Sequence, residues 1–153
     1  MAVAGSGSPA AAGASNRNPA ASVARLEGEV VERVNRIRTQ RGLPPLQIDP
    51  ELAALARAHS CRMARQGFFA HTSPSDGTVA DRVREAGLEF RAVAENLARN
   101  ANVPDPAAVA VEGWLQSEEH RDNLLRPTFT RTGVGACAGD PGHYFTQIFL
   151  EPR

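Results

Sequence analysis

From Tyr144 to Leu150 the chain alternates with period two, and both of the alternating faces carry large apolar groups. Successive side chains of an extended strand point to opposite sides. Tyr144, Thr146, Ile148 and Leu150 therefore share one face, and Phe145, Gln147 and Phe149 the other. A sheet that is apolar on both faces must be covered on both. Residues 131–138 read as its hairpin partner, joined through the turn Gly139-Asp140-Pro141-Gly142. The cover has to come from earlier in the chain, so the expected class is α+β, an α/β/α sandwich with a small, mostly antiparallel sheet between helices.

The preceding sequence supplies those helices. Leu26, Val30, Val34 and Ile37 recur at helical spacing, with Glu29, Glu32, Arg33 and Arg36 opposite them. Gly42 and Pro44-Pro45 stop this helix. Asp49-Pro50-Glu51 reads as an N-cap, a first helical proline and a first-turn acid. The helix it opens carries Leu52, Leu55, Ala56, His59 and Met63 on one stripe and closes at Gly67. A turn-rich loop, 68–77, follows, and Thr78 caps a short helix ending at Gly87. Residues 90–98 read as a strand. Asp105-Pro106 repeats the cap-plus-proline signal before a stripe of Ala107, Val111, Trp114 and Leu115, and Ser117 is expected to break that helix and cap the next. Trp114 and His59 read as core residues, and Gly133 and Gly135 as points of close approach to the sheet.

Composition narrows the function. Lys+Arg and Asp+Glu are both 17, so the basic excess that phosphate backbones require is missing and a nucleic acid partner is not expected. No run approaches the roughly 18 apolar residues of a membrane span, so the chain is not expected to be an integral membrane protein. The first 22 residues are mainly Ala, Gly, Ser, Pro and Asn, with Arg17 the only charge. Such a segment buries too little apolar surface to offset its ordering entropy. Residues 1–25 are accordingly read as a disordered leader or tether, without the basic start and leucine-rich run of an export signal, and residues 26–153 as the domain. Cys61 and Cys137 leave two readings open, a pair of buried thiols or one bridge between a helix and a distant strand. There is no HExxH pair and no GxSxG elbow.

Five segments occur in one order: Phe69-Ala70-His71-Thr72, Ala94-Glu95-Asn96-Leu97-Ala98, Trp114 to Leu125, Gly133-Val134-Gly135 and Tyr144 to Phe149. Together they resemble the CAP superfamily, the cysteine-rich secretory, antigen 5 and pathogenesis-related group, and most closely its bacterial branch. The resemblance implies an α/β/α sandwich, a secreted or cell-envelope location and a cleft beside the sheet. Eukaryotic members line that cleft with two His and two Glu, and some hold a divalent metal there. His71 matches the first of those histidines and Glu95 the glutamate of the Glu-Asn signature. The second glutamate position is Ser117 here, and the second histidine position is Tyr144. His143 is one residue off, which on a strand means the opposite face. His120, after the tryptophan helix, matches a histidine of the bacterial branch.

The residues themselves point the same way at one position. Glu95 interrupts an apolar strand, and a buried carboxylate needs a partner. The expected cleft therefore contains His71, Glu95 and His120, bordered by Ser117 and Tyr144. The function expected from the resemblance is non-catalytic binding by a monomer, with a lipid, sterol, glycan or protein as ligand and no required cofactor. Two alternatives stand beside it. One is a metal-assisted hydrolase in which His71 and His120 hold Zn²⁺ and Glu95 serves as general base. The other is a purely structural interaction domain with a vestigial cleft.

Overall fold

The computed structural model describes residues 19–153. The elements in order are α1 (Pro19–Gln40), β1 (Gln47–Ile48), α2 (Pro50–Gln66), α3 (Val79–Glu85), β2 (Ala92–Asn100), α4 (Pro106–Gln116), α5 (Glu118–Leu125), β3 (Arg131–Ala138) and β4 (His143–Glu151). The strands form one mixed sheet in the order β1-β3-β4-β2, with β1 parallel to β3 and the other pairs antiparallel. Helices lie on both faces, which is the α/β/α sandwich that the two-sided β4 demands.

Three differences from the sequence expectation have physical reasons. Helix α1 starts at Pro19, ahead of Leu26, and Val23 packs on the core. Proline is tolerated at a first helical position because its missing N–H has no partner there anyway. Of the expected leader, residues 1–18 lie outside the described residues. Strand β2 runs from Ala92 to Asn100, two residues later than expected, because its register is set by β4: Ala92 pairs with Glu151 and Asn100 with His143. Strand β1 has only two residues, too few for any periodicity, and exists because Gln47 and Asp49 donate to the carbonyls of Thr130 and Thr132.

The two faces of the sheet bury different cores. Ile148 and Leu150 of β4 pack with Leu52, Ala56 and Val83 under α2 and α3. Phe145 and Phe149 pack with Val30, Val34, Val111, Trp114 and Phe129 beneath α1 and α4. Gln147 is also on this second face, fully buried, and its Nε2 donates to Thr132 Oγ1 at 3.0 Å. The caps read from sequence are in place. Asp49 accepts from Glu51 N, Thr78 and Asp81 form a reciprocal capping box, Asp105 accepts from Ala108 N, and Gly67 closes α2 at φ 70°.

Helix α2 lies unusually close to β3. A Cβ on Gly133 would overlap the backbone of Leu52 and Ala53, and one on Gly135 the backbone of Ala56 and Arg57. Two further ties fix this contact. Ser60 Oγ bonds to both Gly135 O and Thr146 Oγ1, at 2.9 and 2.8 Å, and a Cys61–Cys137 disulfide joins the same helix to the same strand across 76 residues. From the other side Glu27 of α1 takes two bonds from Arg57 and one from Ala136 N.

Gly135→Ala should therefore cost about 3 kcal/mol or more in urea unfolding, at or above the usual range for overpacking because the clash is with backbone. Gly28→Ala, with nothing within 4 Å of its new methyl and a helical site, should stabilise by about 0.5–1 kcal/mol. Equal effects of the two would refute the close-contact account. Thiol labelling of the unfolded, unreduced protein should find Cys61 and Cys137 unreactive. Reduction should lower stability by about 4.5 kcal/mol, the loop-closure value for a ring of this length.

Candidate functional site

Glu95 arrives in the middle of β2 on the face covered by α2 and α3, and its side chain is 1% exposed. Its partners are three. Arg82, which α3 aims inward at 2% exposure, places Nη1 2.9 Å from Oε2 and donates from Nη2 to Oε1 at 3.2 Å. His71 Nδ1 donates to Oε1 at 3.0 Å. Fully buried His59 of α2 sits 4.0 Å from the same oxygen. A charge on a core-facing strand position is thus answered by an arginine and the His71 imidazole, with His59 beside them.

The same cluster grips the loop before α3. His59 Nε2 donates to the carbonyl of Ala70 at 2.9 Å, and Arg82 Nη2 to the carbonyl of His71 at 2.9 Å. With the His71 ring held by Glu95, both adjoining residues are fixed. Phe69, just ahead of them, is 41% exposed; the Arg99 guanidinium lies 4.9 Å from its ring centroid and the Tyr144 ring 6.4 Å away.

Beside Phe69 runs an open groove of about 460 Å³ along the outer strand β2, bounded by Leu97, Ala98, Arg99 and Asn100 and, from α4 and the start of α5, by Val109, Gly113, Trp114, Ser117 and His120. Trp114 closes its floor, 2% exposed, with Nε1 donating to Leu97 O at 2.8 Å. Asn96 Nδ2 donates to His120 O, and Asn123 Nδ2 to Asn96 Oδ1, which pins α5 to the strand. Ser117 occupies the cap position of α5 without capping it by its side chain: its hydroxyl is hydrogen-bonded to His120 Nδ1 at 2.8 Å. The expected cap is corrected accordingly, the imidazole having won the hydroxyl from the backbone amides.

The expected site residues divide among three places. Ser117 and His120 line the groove; Tyr144 lines an adjoining hollow of about 330 Å³ with Arg99, Asn100, Asp140 and Pro141. His71 and Glu95 belong to the cluster behind Phe69. His143 is on the opposite face of β4 from Tyr144, next to Phe145. Sequence reasoning missed Arg82 and underrated His59. Both occupy core-facing helical positions; His59 lay on a legible apolar stripe, whereas the seven residues of α3 carry too little periodicity to mark Arg82 as inward.

The donor set does not suit a metal ion held by His71 and His120. Arg82 already neutralises Glu95 and bonds the backbone of His71, so a dication would be set against a fixed guanidinium. Among the described residues no three His, Cys, Asp or Glu side chains gather to share an ion. Glu95, enclosed and ion-paired, is also poorly placed to activate water.

Residues 31–149 match the cysteine-rich secretory protein family, CAP. The chain belongs to that family. It is 38% identical over 144 residues to the YkwD protein of Bacillus subtilis (strain 168), across 93% of this chain and 54% of that protein. Among solved structures it resembles an extracellular protein containing an SCP domain from Bacillus anthracis, with a TM-score of 0.79 and 32% identity, covering 87% of this chain and 42% of that one. An outer surface protein of Borrelia burgdorferi shares the fold, with a TM-score of 0.76 at 19% identity over 84% of this chain and 94% of its own. The chain therefore spans about half the length, or less, of its more identical relatives. In this CAP domain Glu95 is buried against Arg82, and His71 pairs with it from the exposed side.

The two histidines on Glu95 should titrate in opposite directions. The hydrogen bond to Glu95 raises His71 above the ordinary histidine value against partial desolvation, with the Glu95 and Glu119 charges assisting. Burial lowers His59, against the pull of Glu95. A raised folded-state value gives stability that is full below the unfolded value near 6.5 and fades as pH rises through the folded one. A lowered value does the reverse: its contribution is present above the unfolded value and is lost as pH falls through the folded one. NMR titration should therefore place His71 above and His59 below about 6.5. Glu95→Gln should bring His71 down and cost about 3–5 kcal/mol, since Arg82 is left as a buried unpaired charge. A His71 value unmoved by that substitution would refute the pairing.

Proposed function

We propose that this chain is an extracytoplasmic binding domain that seats a ligand in the groove beside Phe69 and performs no chemistry on it. One observation carries this reading. The acid that a hydrolase would need as a base is locked between Arg82 and His71, and that lock holds the Ala70 and His71 carbonyls that present Phe69 to the groove. Glu95 thereby acts as a positioning residue for a preformed recognition surface, and a site that is rigid before binding loses less entropy when it binds. The groove has the common composition of a ligand site, apolar walls with a few placed polar groups.

The location rests on two supports. A relative at 32% identity is an extracellular protein, and the Cys61–Cys137 bridge suits an oxidising compartment. Among the described residues no helix is long and apolar enough to cross a membrane. Lipid, sterol, glycan and protein ligands are all compatible with a surface of this kind.

Cell-envelope extracts separated into lipid, polysaccharide and protein fractions would be added to labelled domain and amide shifts recorded. One fraction should perturb Leu97, Gly113, Ser117 and His120 in a saturable way and be recovered unaltered. Shifts confined to another surface would refute the groove. A product that accumulates, and whose formation stops in Glu95→Gln, would establish the hydrolase instead.

A further inference from the structure

The groove and the hollow beside it adjoin, because Arg99 and Asn100 line both. Together they make one open trough, with Ser117 and His120 at one end, Phe69 and Arg99 at the middle, and Tyr144 with Asp140 at the other. Its middle has an unusual composition for a protein surface. Phe69 is 41% exposed, and one side of its ring is taken by the Arg99 guanidinium. Arg99 itself makes no ion pair among the described residues, whereas Arg82 of the neighbouring cluster is paired with Glu95.

Resting on the binding reading above, we propose that the occupant of this trough is an acidic glycan, a saccharide chain carrying a carboxylate. A pyranose ring has one apolar C–H face and a rim of hydroxyls. The weakly positive C–H face suits the negative face of an aromatic ring, which Phe69 and Tyr144 offer. The hydroxyl rim meets Asn100, Ser117, His120 and the Asp140 carboxylate, which accepts hydrogen bonds. Arg99, stacked on Phe69 and free of protein acids, is placed to take the sugar's carboxylate by a two-pronged, charge-assisted bond.

Other occupants fit less well. An acyl chain in an open trough would leave its methylenes in water and forgo the burial that drives lipid binding. A nucleic acid strand needs a row of cations, and the trough offers one. A stable protein partner needs roughly 800 Å² of this chain's surface, more than a narrow trough between β2 and α4 provides.

The test uses three probes on the full chain: muramic acid-containing oligosaccharides from a lysozyme digest of peptidoglycan, neutral N-acetylglucosamine oligomers, and vesicles of anionic phospholipid. Calorimetry should show saturable binding of the acidic oligosaccharides, at least about tenfold tighter than the neutral ones. Arg99→Gln should remove that preference, Phe69→Ala should weaken both glycans about tenfold, and Arg84→Gln, in the separate basic hollow at the other end of β2, should change nothing. Circular dichroism confirms that each variant is folded. Absence of glycan binding, equal affinity for acidic and neutral oligomers, or loss through Arg84 in place of Arg99 would overturn the proposal. Binding of vesicles alone, with shifts in the trough, would overturn the glycan assignment and leave the groove reading standing. Shifts outside the trough with every probe would sink both.

Discussion

Helix α2 rests on strand β3 backbone to backbone, and the remaining architecture is arranged around that contact. Two glycines allow it, and no other residue type would. The short distance brings Ser60 within reach of a strand carbonyl and a strand hydroxyl, and Cys61 within reach of Cys137. It also sets how deeply His59 sits beside Glu95. A methyl group at either glycine would lift the helix and with it the imidazole that holds Ala70, so the geometry of the groove is linked to a packing constraint on the far side of α2.

The ionic cluster around Glu95 is a second consequence of the same layer. A carboxylate in a strand interior is expensive to bury unless each of its lone pairs is answered. Here Arg82 of α3 and His71 of the preceding loop supply the direct answers, and His59 of α2 stands 4.0 Å away. The arrangement converts an electrostatic requirement into positional order, because each group that satisfies Glu95 also holds a backbone carbonyl or is itself part of the loop. The His71–Glu95 pair therefore has a structural meaning of its own.

How much of this was legible depended on whether the cause was local. Caps at Asp49, Thr78 and Asp105 are short-range hydrogen-bond patterns, and each was readable from a few residues. The two faces of β4 and the tight approach at Gly133 and Gly135 were readable because strand parity and glycine's missing Cβ leave few alternatives. Strand β1 was not readable, since two residues carry no period. Neither was the side-chain choice of Ser117, a competition between equal-range partners that composition does not decide. Glu95 announced that it needed a partner; that Arg82 supplies it, 13 residues earlier on another element, depends on how α3 packs, and short helices with charged residues look the same whether they face water or core.

The two helical layers differ in how they are attached. On one side the helix is held by main-chain contact, a hydroxyl relay and a covalent bridge, none of which tolerates a change of volume. On the other, α1 and α4 meet the sheet through interdigitated apolar side chains, which accept exchanges among residues of similar size. The trough lies along the outer strand where these two regimes meet. One of its walls is consequently fixed by main-chain contact while side-chain packing sets the other, so an exchange on α4 would reshape the trough and leave the seat of α2 as it is.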